Sequence, residues 1–175
     1  MKKILIIWLL SIAIIPAAFA QTPRQHTTND NGWFMYTGNH KLSDKWGLHI
    51  EAQFRRNDII TKGQQLLLRG GINYYLNPQA TATAGYCFVE TYTYGEFAAK
   101  SSFPEHRIWE QLQIKTQLNR FEFINRLRLE QRFVHSPVMQ ADSTYAPGDA
   151  VYSNRFRVLE RVSVPFKGKT IEDKS

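Results

Sequence analysis

Apolar and polar residues alternate with a period of two along most of this chain, and the alternation recurs in segment after segment. From Trp46 the even positions are Trp46, Leu48, Ile50, Ala52 and Phe54, with His49, Glu51, Gln53 and Arg55 between them. Leu66, Leu68, Ile72, Tyr74 and Leu76 then oppose Gln65, Arg69, Asn73 and Tyr75, and Ala82, Ala84, Tyr86 and Phe88 oppose Thr81, Thr83 and Cys87. Ile108, Leu112, Ile114 and Leu118 oppose Arg107, Gln111, Gln113 and Lys115. In the segment RFEFINRLRLEQRFV, Phe121, Phe123, Leu127, Leu129 and Phe133 lie on one face and Arg126, Arg128, Glu130 and Arg132 on the other. Last, Phe156, Val158, Val162 and Val164 oppose Arg155, Arg157 and Arg161. This period is that of strands with two unlike faces. With a first strand near Asn31 to Leu42, it predicts seven strands and no helix in the body of the chain.

The connections predict how the strands pair. SDK, NPQ and NR read as tight turns, and the segments 57–63, 91–104 and 135–150 as longer loops. A slip of one residue would exchange the two faces of a strand, so each hairpin tests the assignment. A two-residue turn at Asn119-Arg120 sets Leu118 opposite Phe121, Gln111 opposite Arg128 and Trp109 opposite Glu130. The three-residue turns set Leu42 opposite Trp46 and Leu76 opposite Ala80. Apolar meets apolar and polar meets polar, so an antiparallel up-and-down meander is expected.

Period two does not say whether the apolar face is a core or a skin against lipid. A soluble periplasmic barrel or sandwich is the alternative to an outer-membrane β-barrel. Strands of roughly 12 residues exceed the soluble mode of about 5–6 and suit a tilted membrane strand of about 9–11. Trp46 and Phe54, and again Phe123 and Phe133, place aromatics near both ends of a strand, like the girdles that flank a membrane band. The energetics agree. An Arg on a lipid face costs roughly 2–4 kcal/mol at the midplane, so the arginines are expected to point inward.

The N-terminus changes the picture in the same direction. Lys2 and Lys3, an apolar run from Ile4 to Ile15 and Ala18-Phe19-Ala20 before Gln21 predict a cleavable signal peptide over residues 1–20 and a single β-barrel domain over 21–175. No Cys follows the cleavage point, so a lipid anchor is not expected. Removing 20 residues from 175 leaves 155, and loss of Lys2 and Lys3 lowers the formal net charge from +7 to +5. That surplus is spread over several segments, which disfavours nucleic-acid binding. The lone Cys87 forms no internal disulfide. The chain ends VPFKGKTIEDKS without a closing aromatic strand, so a C-terminally truncated barrel is expected. The short SDK connection leaves the membrane orientation open.

The runs KLSDKWGLHIEAQFR, LLRGGINYYL, EHRIWEQLQ, NRLRLEQRF and SNRFRVLERV resemble the outer-membrane family catalogued as domain of unknown function 2490. The recurring pieces are Trp33, Trp46, Arg55, Arg69, Tyr75, Arg107, Trp109, Gln111, Arg126, Arg128, Glu130, Arg132, Arg155 and Arg157. The resemblance covers nearly all of the chain after the signal peptide. It implies a small barrel of the outer membrane and supplies no activity and no catalytic residues.

Candidate chemistry lies on the inward face. Arg55, Arg69, Arg107, Arg126, Arg128, Arg132, Arg155, Arg157 and Arg161, with Glu51, Glu105 and Glu130, predict an Arg–Glu–Gln network filling a lumen, with an anion-binding or anion-conducting pore as the alternative. A lipid-modifying enzyme is the alternative from another class. It needs a nucleophile with a positioned base, and the one adjacent pair, His135-Ser136, sits at a loop edge where neighbouring residues diverge. An enzyme is therefore not expected, nor is any cofactor or metal, since no histidine spacing suggests a metal cluster and no Gly-rich phosphate loop occurs. Glu110, Asn125, Gln131 and Glu160 fall on the outward face of successive strands. Glu110 lies diagonal to Gln131, and Glu160 opposite Asn125. This outward polar patch reads as tolerated polarity, a contact between copies in a homo-oligomer, or a site reached from the bilayer. The expected partner is outer-membrane lipid, and the expected role is structural or binding within the envelope.

Overall fold

The computed structural model describes residues 30–166. The expected signal peptide and residues 167–175 of the C-terminal run that suggested truncation lie outside the described residues. The elements are β1 (Asn31–Lys41), β2 (Trp46–Asn57), β3 (Lys62–Tyr75), β4 (Ala80–Thr91), β5 (Phe103–Leu118), β6 (Phe121–Val134), β7 (Pro137–Met139), β8 (Tyr145–Pro147) and β9 (Val151–Ser163). Among the described residues there is no helix. Seven strands form one antiparallel sheet in the order β1-β2-β3-β4-β5-β6-β9, and β7 and β8 form a separate two-stranded hairpin. The seven long strands match the sequence expectation. The hairpin does not: segment 135–150 was expected to be a loop. Its paired runs are only three residues each, too short for alternation to register.

Local chemistry explains the tight turns. In the β1–β2 turn the Ser43 hydroxyl accepts from the Trp46 amide (3.1 Å), while the Leu42 amide donates to the Trp46 carbonyl (2.9 Å). In the β3–β4 turn Asn77 Oδ1 accepts from the amides of Gln79 and Ala80, both at 2.8 Å, the backbone-mimicking use of Asn in turns. Asn119 supplies the positive φ (53°) that a two-residue hairpin loop needs between β5 and β6. The resulting registers pair Leu118 with Phe121, Gln111 with Arg128 and Trp109 with Glu130, as expected.

The sheet is strongly curled. β3 and β6 are three strand spacings apart, about 14 Å along a flat sheet, yet Arg69 of β3 reaches Glu130 of β6 at 3.4 Å. The ring centroids of His49 on β2 and Trp109 on β5 are 5.5 Å apart. Glycines allow the bend. Gly71 and Gly85 face each other across β3 and β4, and Gly85 is in turn opposite Trp109. A Cβ on Gly71 would lie 2.7 Å from the Trp109 ring, and one on Gly85 would meet the Gly70 carbonyl oxygen at 2.1 Å. The indole therefore lies against bare backbone.

Burial follows the curl. The concave face holds Leu67, Cys87, Val89 and Trp109 as a small apolar cluster, together with buried His49, Glu51, Arg69, Glu105, Arg107, Glu122, Arg128 and Glu130. The convex face carries the large apolar residues, and they are exposed on all seven strands. β1 and β9 are the sheet's two edges and do not pair with each other among the described residues.

Candidate functional site: an arginine–glutamate network on the concave face

Glu130 is the centre of the site. Its side chain has no exposed surface, and four guanidiniums share its carboxylate. Arg155 of β9 donates through Nε at 2.7 Å to Oε2. Arg69, Arg128 and Arg157 stand 3.4, 3.7 and 3.8 Å from Oε1. The spacing of β6 makes this convergence, because alternate residues put Arg126, Arg128, Glu130 and Arg132 on one face, and cross-strand pairing sets Trp109 on one side of Glu130 and Arg155 on the other. Trp109, also fully buried, has the guanidinium carbons of Arg128 and Arg69 at 4.7 and 5.5 Å from its ring centroid, within cation–π range. Arg128 also donates from Nε and Nη2 to Gln111 Oε1 (3.0 and 2.7 Å).

Two further acids anchor the flanks. Glu51 pairs with Arg69, is bonded by Gln53 and has His49 Nε2 at 3.7 Å. His49 Nδ1 lies 2.9 Å from Asn39 Oδ1 of β1. Glu105 receives Arg107 through Nε and Nη2 at 2.7 and 2.9 Å and Arg132 at 2.5 and 3.0 Å, two bidentate pairs on one carboxylate. A fourth acid, Glu122, bonds Lys115 at 2.8 Å.

The remaining arginines are not consumed by acids in this way. Arg55 donates to Gln53 at 3.1 Å and stacks over Trp33 at 4.7 Å. Among the described residues Arg126 and Arg161 form no ion pair with an acid, and Arg157 pairs with no acid but the already shared Glu130. Arg157 and Arg161 are exposed rather than enclosed, because they lie on the edge strand β9. A cavity of about 820 Å³ runs along the concave face between the two sheet edges, bordered by Trp33 of β1, Arg55, Arg126, Arg132 and Arg155.

All nine expected arginines thus lie on one face, and six of them (Arg69, Arg107, Arg128, Arg132, Arg155 and Arg157) gather on Glu105 and Glu130. Sequence reasoning missed Glu122, although its alternation with Ile124 and Arg126 marks it as inward, and it missed the central place of Trp109. It also treated the inward face as wholly polar, whereas Leu67 and Val89 are buried there. On the outward face Glu110, Gln131, Asn125 and Glu160 lie as two separate pairs. Gln131 Nε2 donates to Glu110 at 3.3 Å. Asn125 lies opposite Glu160, beside whose carboxylate its side-chain amide sits. His135 Nδ1 lies 2.8 Å from the Gly148 carbonyl oxygen. No group of three or more His, Cys, Asp or Glu among the described residues is placed to hold a metal.

A family model described as "Protein of unknown function (DUF2490)" matches residues 30–175, most of the chain and all of the sheet. The chain belongs to the DUF2490 family. The concave network of this DUF2490 sheet is built from the residues that carried the resemblance: Arg69, Arg107, Trp109, Gln111, Arg128, Glu130, Arg132, Arg155 and Arg157. Comparison with curated proteins and with solved structures gave no match.

Proposed function

We propose that this protein is an outer-membrane β-barrel whose concave arginine–glutamate face becomes the lumen, with a structural or binding role in the envelope rather than a catalytic one. The observation that carries the reading is the inversion of polarity. Ile72, Phe156 and Val158 are 57, 65 and 57% exposed on the convex side, while Glu130, Trp109 and Arg128 are buried on the concave side. A sheet in water buries its apolar face and solvates its charged one. A sheet in lipid does the reverse, and only a closed one satisfies its edges there. Closure would join the β1 and β9 edges directly, through strands from outside residues 30–166, or through a second copy. The leader-like N-terminus supports export to the envelope. The convergence of guanidiniums on Glu105 and Glu130 favours a scaffold over a catalytic centre.

The test is heat-modifiable gel migration of the protein folded in detergent. A compact, fast-running band that converts to the full-mass position on boiling is the expected result. A monodisperse, water-soluble protein with no such shift would instead make the convex face the interior of an assembly in water.

A further inference from the structure

We infer that the β6–β9 rim, built around Arg126, Arg157 and Arg161, is a binding site for a phosphate-bearing anion. Arg126 lies directly opposite Leu159, and Arg157 and Arg161 flank Leu159 on the same face of β9. Arg126 therefore has both as diagonal neighbours at about 7–8 Å, within reach of long side chains. The nearest acids on β6 are engaged: Glu130 by four arginines and Glu122 by Lys115. A cavity of about 310 Å³ opens at this point, bordered by Arg126, Arg128, Arg157 and Leu159. Glu160 also borders it, but occupies an outward position opposite Asn125.

Like charges set across a strand pair repel, so the cluster is destabilising unless an anion joins it. The chemistry selects the anion. A carboxylate brings one negative charge on two oxygens, whereas Arg126, Arg157 and Arg161 together carry three positive charges. The forks of Arg126, Arg128 and Arg157 border the cavity, with Arg161 next to them on β9 outside its lining, and such a set suits a multiply charged tetrahedral group with three or more oxygens. Leu159 gives the site an apolar wall, so the phosphate can be free or the headgroup of a lipid. The inference concerns the concave face and does not require that the convex face meet lipid.

Pyrophosphate and, separately, dihexanoyl phosphatidic acid are titrated calorimetrically into the folded full chain. The expected result is saturable binding that weakens at least about tenfold in the R126A/R157A/R161A variant. The charge-matched K41A/K62A/R120A variant, whose cations make only exposed contacts away from this rim cavity, keeps wild-type affinity. Binding of pyrophosphate identifies a free phosphate, and binding of phosphatidic acid alone identifies a lipid source. A second readout needs no variant. Phenylglyoxal modification of the wild-type protein, mapped by mass spectrometry, is expected to be blocked by the bound probe at Arg126, Arg157 and Arg161 but not at Arg56 or Arg120. Absence of binding by both probes, equal weakening in the two triple variants, or protection confined to other arginines would overturn the inference. Binding by a protein that shows no heat-modifiable shift would leave the site standing and remove the membrane reading alone.

Discussion

Glu130 shows how one side chain organises a face. Removing its carboxylate takes a partner from four guanidiniums, but not equally. Arg69 and Arg128 are about as buried as Glu130 itself, whereas Arg155 is half-exposed and Arg157 exposed. The edge arginines can recover water and Arg69 keeps Glu51, so the cost falls chiefly on buried Arg128, whose acid partner is Glu130. Glu130→Ala is expected to destabilise the fold by about 3–5 kcal/mol, the usual consequence of leaving a buried charge without its partner. Arg157→Ala removes an exposed contact at 3.8 Å and is expected to change stability by less than about 1 kcal/mol. Urea titration of both variants beside wild type checks the contrast, and equal losses would mean that Glu130 is not the hub. Glu130 was legible in the sequence because it alternates with arginines on both sides. That Arg69, 61 residues away, would meet it was not legible.

At the scale of the element, the strands obey their pattern and the irregularities sit at their ends. The β2–β3 connection follows a register shift between Arg55 and Arg56 and then turns through Asp58 and Ile59, both at positive φ (49° and 63°). A β-branched residue in the left-handed region is rare, and the conformation costs an L-residue roughly 1–2 kcal/mol. Ile59 recovers little by burial, being 63% exposed. Ile59→Gly is expected to raise stability by about 0.5–1 kcal/mol, the relief of strain less the added freedom of the unfolded chain. A raised urea midpoint with unchanged slope is the expected reading, and a lowered midpoint would show that the Ile59 side chain makes contacts worth more than the strain. No sequence signal marks this position, because Ile favours strands and its backbone is dictated by the elements it joins.

For the whole molecule the deciding quantity is what lies against the convex face. Leu127 sits mid-strand on that face, paired with Leu112 on one side and Val158 on the other. On the membrane reading Leu127→Arg puts a charge into hydrocarbon, and folding into bilayers is expected to weaken by about 2–4 kcal/mol. On a water-facing surface the same change is worth about 0.5 kcal/mol or less. Folding yield into lipid vesicles across a urea series separates the two, and an unaffected variant would argue that lipid does not touch this face.

The sequence by itself determined the seven strands, their antiparallel order, the register of each tight hairpin and the assignment of nine arginines to one face. Those features rest on period two and on short turns, which are local and leave a mark in the chain. Tertiary structure alone decided the curl of the sheet, and with it the meeting of Arg69 with Glu130, of His49 with Trp109, and the cavity between the two edges. It also decided which arginines are neutralised and which are left to the rim. The physical reason is that curl arises from twist and from close backbone approach at Gly71 and Gly85, summed over several strands. Alternation specifies which side of a strand a residue takes, and says nothing of which distant residue the bending of the sheet will bring to it.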